Sequence, residues 1–150
     1  MTDKNFLGIV HNEVLQTALL AWLVAQVLKT LLFWHQEGRF NAGRFVGSGG
    51  MPSSHSALVV ALFTGVGLRE GWTSTITAIT LVFALIVMYD AAGVRRAAGK
   101  QARVLNKIVN ELAANKPLRE ERLKELLGHT PFEVIVGAIL GAAIAVWRLY

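Results

Sequence analysis

The feature that most limits what this chain can become is the length of its apolar runs. Val14–Trp34 (VLQTALLAWLVAQVLKTLLFW) carries Lys29 as its one charge. It is long enough to cross a bilayer, which takes about 20 helical residues. Ser74–Tyr89 (STITAITLVFALIVMY) and Pro131–Trp147 (PFEVIVGAILGAAIAVW) are two more such runs, the first rich in β-branched residues yet long for a strand. Ser56–Leu68 (SALVVALFTGVGL) is short alone. It reaches a marginal span if its helix starts at Pro52 and buries Ser53, Ser54 and His55. A soluble domain breaks its apolar residues into short periodic stretches, whereas here 53% of the residues are hydrophobic, 17% are charged, and the apolar ones come in runs. The sequence predicts an all-α, polytopic membrane bundle of about four transmembrane helices, forming a single domain over residues 1–150.

Between the third and fourth runs the composition changes. Gly99–Gly128 is charged and places Val104, Leu105, Ile108, Val109 and Leu112 at helical spacing, which predicts an amphipathic interfacial helix lying on the membrane or packing back on the bundle. Pro117 should break it, with a second short helix following. In the fourth run Gly137 and Gly141 form a GxxxG face for close helix packing and a candidate homodimer contact. The opening MTDKNFLGIVHNE lacks the basic-then-apolar order of a signal peptide, so the first helix is expected to be retained. The chain has no cysteine, which excludes disulfides, thiol nucleophiles and thiolate metal sites. Its net charge of +5 points, in so apolar a chain, to anionic membrane lipids as partners. No nucleic-acid partner is expected, because Glu111, Glu120, Glu121 and Glu125 interrupt the basic segment.

Threading four spans puts Lys29, Arg39, Arg44, Gly47–His55, Asp90, Arg95, Arg96, the amphipathic segment and His129 on one side. The termini and the turn around Arg69–Trp72 fall on the other, with Lys4, Arg69 and Arg148 as its basic residues. The positive-inside rule makes the crowded side cytoplasmic, in the plasma (inner) membrane.

Three stretches on that side carry chemistry. In Ser48–Ser56 (SGGMPSSHS) the glycines permit tight turns, and Pro52 suits a first helical position. The free N–H groups that follow, with the Ser53 and Ser54 hydroxyls, make an anion site at a helix N-terminus, and His55 can donate a proton to a leaving oxygen. The alternative is an ordinary capped helix start with an interfacial histidine. In His129-Thr130-Pro131-Phe132-Glu133 the histidine and carboxylate, four apart, can meet, so that Glu133 orients the imidazole. Thr130 and Glu133 equally spell a capping box with Pro131 at the first helical position. In Tyr89–Arg96 (YDAAGVRR) paired arginines can clamp a phosphate or simply anchor the span, and Asp90 at a helix end calls for a partner. Lys29 lies inside the hydrocarbon by count, near enough to the boundary to snorkel. With no H-E-x-x-H, Walker loop or acidic cluster, a mechanism without metal or other cofactor is expected.

Gly49–Ala57 (GGMPSSHSA), Tyr89–Arg96 and Gly128–Val134 (GHTPFEV) together resemble the divergent branch of the type 2 phosphatidic acid phosphatases, whose superfamily also holds vanadium-dependent haloperoxidases. The resemblance covers nearly the whole chain. It implies that His55, in Pro52-Ser53-Ser54-His55, is the general acid, with Ser54 standing where the superfamily has glycine. It implies that His129 is the nucleophile, that Glu133 stands for the usual aspartate, and that a phosphohistidine intermediate forms and is hydrolysed. The superfamily's Lys and Arg-Pro motif has its nearest match in Lys29 with Arg39. No Ser-Arg pair precedes His129, and Arg122 is one residue too distant, so the resemblance leaves Arg95 or Arg96 as the phosphate arginine.

The function expected on these grounds is hydrolysis of an anionic lipid phosphomonoester. Arg95, Arg96, Lys29, Arg39 and the Gly50, Ser53 and Ser54 groups would hold the phosphate, and His129, His55, Glu133 and Asp90 would be catalytic. Phosphatidylglycerophosphate is the first candidate substrate, ahead of phosphatidic acid or a polyprenyl (pyro)phosphate. A non-catalytic lipid-binding protein retaining the fold is the alternative.

Overall fold

The computed structural model describes residues 6–38, 50–113 and 129–150. A 3-10 turn, Phe6–His11, leads into α1 (Glu13–Glu37), followed by α2 (Ser54–Glu70), α3 (Thr75–Ala92), α4 (Val94–Ala113) and α5 (Pro131–Leu149). Among the described residues there is no strand. The Asn12, Ser53, Ser74 and Thr130 side chains each accept a backbone N–H in the first turn of α1, α2, α3 and α5, and so satisfy donors that a helix start leaves open.

α1 and α3 end where α2 and α5 begin, and α2 sits centrally, touching α1, α3 and α5. The core is made of small residues. Ala18, Ala21 and Ala25 of α1 meet Ala57 and Ala61 of α2 and Ala145 of α5. The bulky apolar side chains point outward instead: Ile79, Ile86 and Ile139 are each more than 60% exposed. A soluble protein does not display such a surface, and a helix bundle in lipid requires it, because its interior packs by close approach of small residues. Three stretches are long and apolar enough to cross a membrane: Glu13–His35, Thr75–Asn110 (α3 running on into α4) and Pro131–Leu149. The fold is a helical membrane bundle.

Sequence and structure differ at three places. α2 starts at Ser54 and not at Pro52, with Ser53 as its N-cap and Pro52 one position earlier, joined to Met51 by a cis peptide bond. The helix is thus 17 residues long, about 26 Å at 1.5 Å per residue, and does not count among the three long spans. The packing of α1, α3 and α5 around it shields its short length from lipid. The second difference concerns Gly137 and Gly141. A Cβ on either would collide with a carbonyl oxygen of α2, that of Ser53 or Ala57 respectively. The GxxxG face is therefore occupied inside the bundle. The third is α4, which begins at Val94, directly after Gly93, so that Arg95 and Arg96 belong to its first turn. Arg39, Arg44, Pro117 with the helix expected after it, and Arg122 lie outside the described residues.

Candidate active site

The site assembles at the end of the bundle where α1 and α3 finish and α2 and α5 begin. Its centre is the start of α5. Thr130 is the N-cap, Pro131 takes the first helical position, and Glu133 closes a capping box. One carboxylate oxygen of Glu133 serves two donors. It accepts the Thr130 N–H at 3.2 Å and lies 3.0 Å from Nδ1 of His129, which sits just before the cap. Both readings of these residues therefore hold, because the carboxylate that caps the helix is the one that orients the imidazole. With Nδ1–H donating to Glu133, the lone pair of His129 resides on Nε2, the form a nitrogen nucleophile needs. Nε2 is buried and has no hydrogen-bond partner among the described residues. The residue is only 2% exposed.

Two main-chain hydrogen bonds fix this corner. The His129 N–H donates to the Ala91 carbonyl at 2.9 Å, tying α5 to the last turn of α3 beside half-buried Asp90. The Ser53 N–H donates to the Glu133 carbonyl at 3.0 Å, tying α2 to α5. Only glycine at position 137 leaves room for that approach. As a result the His55 and His129 rings lie edge to face with centroids 6.3 Å apart. The structure thus joins two histidines that the sequence separates widely.

The Ser53 hydroxyl is buried, accepting from the Ser56 N–H at 3.4 Å and the Ser56 hydroxyl at 3.0 Å, and Ser54 is buried beside it. These serine groups are thus engaged in building the helix start as well as lying near the histidines. Lys29 of α1 is 4% exposed, and its stem lies against Gly50, where a Cβ would come within 3.2 Å of Cγ and Cδ. Gly50 also has φ +88°, a left-handed conformation costly for other residues, so its identity is doubly required. Arg95 and Arg96 follow the α3 end by sequence and lie in the backbone of α4's first turn.

Two contributors could not be read as site residues from the sequence. The Ala91 carbonyl and the Glu133 carbonyl act through backbone, which leaves no signature in residue type. Gln26, buried one turn before Lys29 on α1, did leave one: a polar residue inside an apolar run marks an interior face. Among the described residues no three His, Asp or Glu side chains gather as a metal site would require.

The sequence comparisons place the chain in a family. Residues 10–144 match the profile of the Divergent PAP2 family. The chain belongs to that family. It is also 42% identical to the "uncharacterized membrane protein YuiD" of Bacillus subtilis (strain 168), over 93% of this chain and 95% of that protein. No solved structure matches it. The chain is a PAP2-like membrane protein, and Lys29, Gly50, His55, Asp90, His129 and Glu133 all fall within the matched region.

Proposed function

We propose that this protein is a lipid phosphomonoesterase working through a phosphohistidine. The observation that carries the reading is the His55–His129 pair, with His129 buried and His55 half-buried, Glu133 holding Nδ1 of His129, and Nε2 left without a described partner. In the first step Nε2 attacks phosphorus in line. A P–N bond forms as the P–O bond to the lipid alcohol breaks, and His55 gives its proton to that departing oxygen. Glu133 balances the positive charge that develops on the His129 ring. In the second step His55, now neutral, takes a proton from water, the water oxygen attacks phosphorus, and inorganic phosphate leaves as the P–N bond breaks. Lys29, Arg39, Arg95, Arg96 and the amides of the Gly50–Ser54 turn would offset the charge on the equatorial oxygens. Asp90 would position one of the basic groups.

The site end carries most of the basic residues, while Arg69 and Arg148 stand at the other end, which supports a cytoplasm-facing site in the plasma membrane. Lipids phosphorylated on that leaflet are the fitting substrates, with phosphatidylglycerophosphate first and phosphatidic acid second. The test is phosphate release from each lipid in detergent micelles by the wild type and by His129→Ala. The wild type should release phosphate, and the variant should be slower by about 10³-fold or more. Equal release by both would remove His129 as nucleophile. No release by either would favour a non-catalytic lipid-binding role.

A further inference from the structure

The segment from Val94 to Asn110 contains Arg95, Arg96, Lys100, Arg103 and Lys107 and no acid. Wound as α4, it separates into three faces instead of two. Gly99, Ala102 and Asn106 form a buried face of small residues, and among the described helices α4 contacts α3. One position along the same repeat, Lys100, Arg103 and Lys107 form an exposed basic face. Between the basic and buried faces on the remaining side stand Val104, Leu105 and Ile108, which are 59%, 49% and 46% exposed. A helix that merely packed against its own protein would bury that ridge, and a solvated helix would not carry it.

From this three-faced pattern we infer that α4 is a docking surface for an anionic phospholipid headgroup layer. The ridge of Val104, Leu105 and Ile108 enters the acyl boundary, and Lys100, Arg103 and Lys107 reach the lipid phosphates. Three observations select a lipid surface as the occupant. First, α4 follows α3 with only Gly93 between them, and the apolar run of α3 gives way there to Arg95, Arg96 and Lys100, which places α4 at the edge of the apolar layer. An amphipathic helix there lies with its apolar face about 5–10 Å deep. Second, Lys100, Gln101, Val104 and Leu105 line a shallow, open and largely apolar depression on α4. Two apolar side chains beside an ammonium suit an acyl segment below an anionic headgroup. Third, the charge is of one sign. A second copy of this chain docked ridge to ridge would bring two basic stripes side by side, whereas an anionic leaflet attracts them, each basic residue contributing about fivefold in partitioning. The inference concerns binding and stands apart from the phosphatase reading.

Because the chain has no cysteine, single spin labels can be placed without altering other residues. The full chain carrying Val104→Cys, Lys107→Cys or Ile139→Cys is labelled with a nitroxide. It is then placed in nanodiscs of phosphatidylcholine, alone or with one-third phosphatidylglycerol. In the anionic discs the label at 104 should collide with oxygen in preference to a water-soluble nickel chelate, and the label at 107 should do the reverse. Accessibility of position 104 to the chelate should rise several-fold in phosphatidylcholine alone, at high salt, and when Lys100, Arg103 and Lys107 are all replaced by Gln. The label at 139, on the lipid-facing side of α5, should stay immersed throughout and so reports the intact bundle. Equal chelate accessibility at 104 and 107 in anionic discs would overturn the inference, as would immersion of 104 that is the same in both lipids. Dipolar broadening between labels at 104 would instead assign the ridge to a second copy.

Discussion

The two ends of this bundle use polar residues in opposite ways. At the end holding His129, Lys29, Ser53, Ser54 and His129 are buried, and main-chain bonds join the elements: Ser53 N–H to the Glu133 carbonyl, and His129 N–H to the Ala91 carbonyl. At the other end, long side chains meet across the helix tips. Arg69 pairs with Glu13, their side chains 46% and 63% exposed, and Arg148 donates to Gln16 at 2.8 Å. A bond between backbones drawn close by glycine holds its geometry whatever the rotamers do. A pair of exposed long side chains gives up entropy to meet and is screened by salt. The first arrangement suits a site whose atoms must stay in register, and the second suits an end that only has to remain closed.

Four substitutions would sharpen or break that contrast. The largest effect is expected for Glu133→Gln. Glutamine still accepts the Thr130 N–H and so keeps the cap, but it cannot balance a charged imidazole. The turnover number should fall by about 10²–10⁴, while stability in detergent should change by less than about 1 kcal/mol. A large fall in melting temperature with unchanged phosphate release would reduce the pair to a helix cap. Next comes Gly137→Ala, whose methyl drives the Ser53 carbonyl away, at a cost of about 1–3 kcal/mol. Gly141→Ala meets the Ala57 carbonyl in the same way. The two should melt alike, but Gly137→Ala should lose more turnover because it moves the bond next to the histidines. Equal turnover in both variants would show that the Ser53–Glu133 bond positions nothing. The smallest effect belongs to Arg69→Gln at the far end, where thermal unfolding should move by no more than about 1 kcal/mol and phosphate release should not change.

Much of the architecture was legible because bilayer thickness translates directly into run length. α1, α3 and α5 coincide closely with Val14–Trp34, Ser74–Tyr89 and Pro131–Trp147. The start of α2 was not legible in the same way. Pro52 fits a first helical position by its fixed φ, yet Ser53 offers a better cap, and local rules alone could not choose between them. Within the site, His129 and Glu133 were readable together because their spacing is local, and they meet as the spacing suggests. That His55 meets His129 depends on the depth to which α2 and α5 approach each other. The sequence signals that approach only through Gly137 and Gly141, which serve equally well for a contact between copies. For Arg95 and Arg96, position in the first turn of α4 follows from the break at Gly93.

The alanine interior also governs how such a chain tolerates change. Ala21, Ala25, Ala57, Ala61 and Ala145 have no accessible surface, so each helix separation is set by the smallest apolar side chain there is. Exchange at these positions is limited to glycine, since one added heavy atom has nowhere to go. Outside, Ile79, Ile86 and Ile139 face a fluid solvent that fits itself to any hydrocarbon shape, so leucine, valine or phenylalanine would serve there as well. The usual ranking of a folded protein is inverted, with its plainest residues the hardest to replace and its bulkiest the most interchangeable.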